Sequence, residues 1–200
     1  MVSWLFLKGK CRYCKAPVSI RYPLTELFYG VLVVLALLKW DLSPVLLRNL
    51  VLFACLFTLS LVDLEIYEIP DGCLILAGLA WILAEPFCWE GWAMLAHHLG
   101  SGLVLGGLVL VVSLVMDKVL GRESMGGGDI KLFAVLGLYL GGIGGLLALF
   151  LSCIFGLVFF AIGLKKNEEK QIPFGPSIAA ALTLVLFIGD PIVSWYLSLL

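Results

Sequence analysis

Of the chain's 200 residues, 62% are apolar and only 14% are charged, and the mean hydropathy is +1.11. A soluble domain carries about 25% charged residues, so a globule of this length could not hide so much apolar surface, and a disordered chain needs the opposite balance. The net charge of −1 excludes a nucleic-acid binder that works through a basic surface. What remains is an all-α polytopic membrane bundle, in which helices satisfy their own backbone groups.

The first segment, 1–26, holds Lys8, Lys10, Arg12, Lys15 and Arg21, with no acid before Glu26. Its charges follow the short apolar run 4–7 instead of preceding a long one, which is the wrong order for a cleavable signal peptide. It is read as a cytosolic N-terminal segment, and 27–200 as the membrane-embedded domain. Apolar runs then fall at 27–39, 45–62, 73–84, 94–116, 130–140, 143–164 and 178–188, which predicts seven transmembrane segments. Several are shorter than the ~17 residues a span needs, so they borrow flanking residues or stop partway. The glycine cluster at 141–145 leaves open a single bent segment in place of two spans.

Basic residues set the orientation. With the N-terminus cytosolic, the inner segments 1–26, 63–72, 117–131 and 165–173 carry 11 of the 13 Lys and Arg residues, leaving Lys39 and Arg48 near the outer face. The outer loop 85–92 has none and carries Trp89 and Trp92, suited to an interfacial belt. Of the 22 glycines, Gly102, Gly106, Gly107, Gly137, Gly141 and Gly145 are expected to let helices approach closely.

This topology puts two acidic clusters on the cytosolic side. One runs Asp63-Leu64-Glu65-Ile66-Tyr67-Glu68-Ile69-Pro70-Asp71 after the second span; the other is Gly126-Gly127-Gly128-Asp129-Ile130-Lys131 before the fifth. Glu65, Glu68 and Glu123 are equally well read as solvated acids at helix ends. Asp63 and Asp129 differ, because each abuts an apolar run, where an ionisable group is costly and a functional candidate by default. Glycines before Asp129 let the backbone approach another extended peptide, and a carboxylate at a helix N-terminus sits near free N–H groups. Two such carboxyls brought together share one proton: one draws a proton from water while the other hydrogen-bonds a scissile carbonyl. From spacing alone, ion or proton transport by the same acids remains an alternative.

At these residues the chain resembles the type IV prepilin leader peptidases, membrane aspartic proteases of the GxGD class. Four stretches carry the resemblance: Gly9-Lys10-Cys11-Arg12-Tyr13-Cys14 running on to 19–26, Asp63 through Asp71, 126–132, and Ile172-Pro173-Phe174-Gly175-Pro176. The resemblance implies that Asp63 and Asp129 are the catalytic pair. It also implies removal of the basic leader of type IV prepilins or type II secretion pseudopilins, after a glycine and before an apolar helix. The cut falls at the cytosolic face of the bacterial inner membrane. The four acids and no bases of 63–72, with Glu65 and Glu68 among them, suit a basic leader. Asp71 is assigned a supporting or helix-capping role, Lys131 that of local charge balance or, preferred, of a headgroup anchor, and 173–176 that of a rigid start to the last span.

Many family members carry two Cys-x-x-Cys pairs in a longer cytosolic part, whereas this chain has only Cys11 and Cys14 there. Two thiolates are half of a tetrahedral zinc site. Cys55 and Cys153 lie inside spans, Cys73 starts one and Cys88 is outside, so the expectation is a shortened N-terminus without zinc. Proteolysis by an aspartic pair needs no cofactor, and S-adenosylmethionine is expected only if the methylation carried out by bifunctional members is retained. Among rivals, His97, His98 and Ser101 weakly suggest a rhomboid-type serine protease, but Leu99 stands where that site has glycine. An interfacial role is expected for the two histidines.

Overall fold

The structure is a computed structural model that describes residues 4, 6–88, 91–163 and 173–198. The described residues form helices joined by short loops, with one isolated antiparallel bridge, Lys10 to Pro17. The helices are α1 (Arg21–Trp40), α2 (Pro44–Ile66), α3 (Asp71–Ala84), α4 (Trp92–Leu120), α5 (Gly127–Gly163) and α6 (Gly175–Leu197). Five stretches are long and apolar enough to cross a bilayer: Arg21–Trp40, Pro44–Ile66, Trp92–Leu120, Gly127–Ala161 and Gly175–Trp195. The chain is therefore a multi-pass, all-α membrane protein. At 1.5 Å per residue, the 14 residues of α3 rise about 21 Å, less than the ~30 Å hydrocarbon core.

The chain divides into two compact units, Met1–Leu50 and Val51–Leu200. In the first, the Cys-x-x-Cys loop is closed by hydrogen bonds from Cys11 N to Ala16 O (2.8 Å) and from Val18 N to Gly9 O (2.7 Å). The Trp4 indole N–H donates to Val18 O at 3.0 Å. In α1, the Tyr29 hydroxyl donates to Leu50 O, 3.2 Å away.

The second unit is built around α5, which packs most extensively on α4 and α6. Gly141 breaks α5 with φ 69° and ψ −169°, outside helical space. The chain turns back there: a Cβ on Gly145 would lie 3.6 Å from the Cα of Gly137, a separation no straight helix allows across eight residues. α5 is thus two antiparallel rods with a break inside the expected 141–145 cluster. A seam of small residues joins it to α4. A Cβ on Gly137 would meet Gly102 Cα at 2.8 Å, and one on Gly106 would meet Ala134 Cβ at 2.9 Å. Gly102 and Gly145 are equally close-packed, against the Ala134 carbonyl and Leu105 respectively. Gly107 corrects the expectation, since open space surrounds it.

His97 and His98 lie near the start of α4, and His97 is exposed. Both rings lie against the α5 break. The Gly142 N–H donates to His97 Nε2 at 3.4 Å, and His98 Nδ1 donates to the Leu138 carbonyl at 2.9 Å. Ser101 donates its hydroxyl to the His97 carbonyl at 2.6 Å, a backbone bond that leaves no Ser–His catalytic pair. Trp92 is largely exposed at the start of α4, whereas Trp89 lies outside the described residues, as does the basic segment 165–172.

Candidate active site

Opposite the α5 break, the C-terminal ends of α2 and α4 meet the N-terminal ends of α3, α5 and α6. Asp63 stands inside α2, one turn before its end, instead of after the span as expected; Asp129 is the third residue of α5. Apolar residues carry both helices to this point, so each carboxyl is held at the edge of the apolar bundle by the register of its own helix. Both line one cavity of about 1020 Å³.

Asp63 is 5% exposed. Its Oδ2 accepts the backbone N–H of Gly175, the first residue of α6, at 2.8 Å. The chain enters α6 through Phe174, whose carbonyl accepts the N–H groups of Ser177 and Ile178. The Phe174 ring is tilted on that of Phe133, at 6.3 Å between centroids, and packs over Gly156. The Pro-Phe-Gly-Pro run therefore delivers a helix N-terminus to Asp63. Ile172, which precedes it in the motif, is outside the described residues.

The three glycines before Asp129 take different parts. Gly126 lines the cavity, and a Cβ there would lie 3.5 Å from Asp129 Oδ2. Gly127 faces open space, while Gly128 is occupied from within the chain, because a Cβ on it would meet Ile69 Cβ at 2.8 Å. The loop before them is pinned to α4: Ser124 N–H donates to Asp117 Oδ1 at 2.6 Å, and the Ser124 hydroxyl to Ser113 O at 3.3 Å.

The other candidates that the sequence offers are placed apart from the pair. Glu65 and Glu68 are exposed and do not line the cavity. Asp71 does not cap α3, whose N-cap is Pro70 with no side-chain hydrogen bond. Its two oxygens instead hold the Lys131 ammonium at 2.7 and 2.9 Å. Among the described residues, no three His, Cys, Asp or Glu side chains gather as a metal site would require. In the N-terminal unit, the Cys14 and Tyr13 backbone N–H groups point at the Cys11 thiol and hold it below the ordinary thiol range.

Sequence reasoning misses most of the cavity wall. Leu108, Val112 and Met116 of α4, Leu149 and Cys153 of α5, and Tyr67, Arg122, Glu123 and Ser124 all line it. Nothing in an apolar span distinguishes cavity-lining residues from lipid-facing ones. Gly175 has a signal, the interrupted helix start between two prolines, but only its backbone acts.

Residues 50–161 match the type IV leader peptidase family, and residues 1–40 match the bacterial peptidase A24 N-terminal domain. The chain is 37% identical to a prepilin leader peptidase/N-methyltransferase of Aeromonas salmonicida (strain A449), over 99% of this chain and 68% of that protein. Proteins of the same description from Aeromonas hydrophila (38% identical) and Neisseria gonorrhoeae (34%) are each matched over 99% of this chain and 69% of their own length. No solved structure matches. With its family match running from α2 into the second rod of α5, the chain belongs to the type IV leader peptidase family and is an enzyme of the prepilin peptidase class.

Proposed function

We propose that this protein is an aspartic endopeptidase that removes the basic leader of type IV prepilins or pseudopilins at the cytosolic face of the bacterial inner membrane. Asp63 and Asp129 are the pair that activates water. The observation that carries this reading is the shared cavity, to which two distant parts of the chain each bring one carboxyl.

In this reading the two carboxyls hold one proton between them. The ionised one takes a proton from the attacking water, and the protonated one hydrogen-bonds the scissile carbonyl, so no covalent intermediate forms. Proteolysis of this kind needs no metal or other cofactor. The apolar wall from Leu108 to Met116 suits the apolar segment that follows the cut, and the open backbone at Gly127 suits an extended leader. Lys118, Arg122 and Lys131, in the segment 117–131 around the start of α5, support a cytosolic site. A transporter reading gains nothing from the structure, since both carboxyls stand within one turn of helix ends.

The test is cleavage of a prepilin panel by the purified protein in lipid vesicles, with mass analysis of the new N-termini. Asp63→Asn and Asp129→Asn are each expected to abolish cleavage while the protein remains inserted; cleavage retained by either rejects the pair. An N-terminus one methyl heavier, seen only with S-adenosylmethionine added, would reveal the second activity that the relatives' names carry.

A further inference from the structure

We infer that Gly175 is a positioning residue of the reaction, and that its backbone N–H, at the N-terminus of α6, holds the Asp63 carboxylate in its working orientation. The inference rests on the aspartic-pair reading above and goes beyond it, because it assigns a role to a residue with no side chain. Three observations carry it.

The Gly175 N–H donates to Asp63 Oδ2 at 2.8 Å, and among the described residues no other hydrogen bond reaches this carboxylate. Asp63 lies near the C-terminal end of its own helix, where free carbonyls make the field unfavourable to an anion. The N-terminus of α6 supplies the opposite field and a free donor. Finally, the contact has no slack: a Cβ on Gly175 would stand 2.7 Å from Oδ2 and 3.2 Å from Cγ of Asp63. Alanine there must push the carboxylate aside, through close approach and not through an unusual φ. Phe174, packed between Phe133 and Gly156, fixes the level at which α6 begins and so aims the N–H.

The cleanest test removes the N–H and leaves the shape. Cell-free synthesis of the full chain with glycolic acid in place of Gly175 replaces that amide by an ester. Prepilin cleavage in vesicles is then compared with Gly175→Ala, with Asp63→Asn, and with a lactic-acid ester at Ala181 in the interior of α6. A hydrogen bond to a charged group is worth enough that kcat should fall about 10- to 100-fold for the ester at 175. KM and the melting temperature should stay near wild type. Gly175→Ala should lose at least as much, and the ester at Ala181 should keep a normal kcat.

Wild-type kcat for the ester at 175 overturns the inference. So does a loss that appears in KM, or that is matched by a lower melting temperature, because either assigns Gly175 to packing alone. Cleavage by Asp63→Asn would instead overturn the aspartic-pair reading, so the two failures are told apart.

Discussion

Ile69 lies directly over Gly128, so close that a Cβ on the glycine would come within 2.8 Å of the isoleucine Cβ. The loop between α2 and α3 therefore rests on the glycine run that leads to Asp129, and each acidic cluster helps to place the other.

From this contact, Gly128→Ala should displace Asp129 through overpacking, at a cost of about 1–3 kcal/mol, and lower prepilin cleavage. Because the atom in the way is the Ile69 Cβ itself, Ile69→Ala should not restore activity, whereas Ile69→Gly should do so in part. Cleavage rates of the single and double variants check this. Equal rescue by alanine and glycine would contradict it.

Lys131 and Asp71 join the starts of α5 and α3 through an exposed ion pair. With both side chains more than half exposed, its removal by Lys131→Met should cost only about 0.2–1 kcal/mol of stability. Asp71→Lys should cost more by like-charge repulsion, and the exchanged pair Asp71→Lys with Lys131→Asp should recover stability. Thermal melting in detergent at low and high salt measures both effects. The differences should shrink in ~1 M salt.

Filling the cavity should act on binding. Met116→Trp or Val112→Trp narrows the apolar wall, and should raise KM for full-length prepilin about tenfold with a smaller change in kcat. In a variant that keeps Cys153 as its one cysteine, a bulky maleimide should block cleavage, and bound prepilin should protect the thiol. Labelling without inhibition would mean that the cavity wall near Cys153 is not on the substrate's path.

At the N-terminus, the backbone N–H groups of Cys14 and Tyr13 favour the Cys11 thiolate. Alkylation rate follows the thiolate, so Cys11 should reach half its maximal rate at a lower pH than an unperturbed thiol. Iodoacetamide labelling across a pH series, with Cys11 and Cys14 resolved by peptide mapping, gives the curve. Cys11→Ser should leave prepilin cleavage intact in a cofactor-free peptidase.

Much of the architecture is legible along the chain because membrane helices announce themselves locally. The seven apolar runs fall on α1 to α6, two of them sharing α5, and the break at Gly141 falls where the glycines cluster. Asp63 and Asp129 stand out because an acid beside an apolar run is costly wherever it occurs. The pairing of Asp71 with Lys131 is not legible, because each is read within its own helix. Their attraction is a contact between helices, across 60 residues of sequence. Nor is the meeting of the His97 and His98 rings with the α5 break legible, since only packing brings them there.

By itself, the order of residues determined the solvent this protein lives in, the positions of its helices and the two acids worth attention, since transfer energies and helix breaks act over a few neighbours. Tertiary structure decided which groups meet: the cavity shared by Asp63 and Asp129, the Gly175 N–H on Asp63, and Ile69 over Gly128. Those relationships depend on the crossing and depth of separate helices, and one of them is made by a backbone N–H that every residue except proline carries.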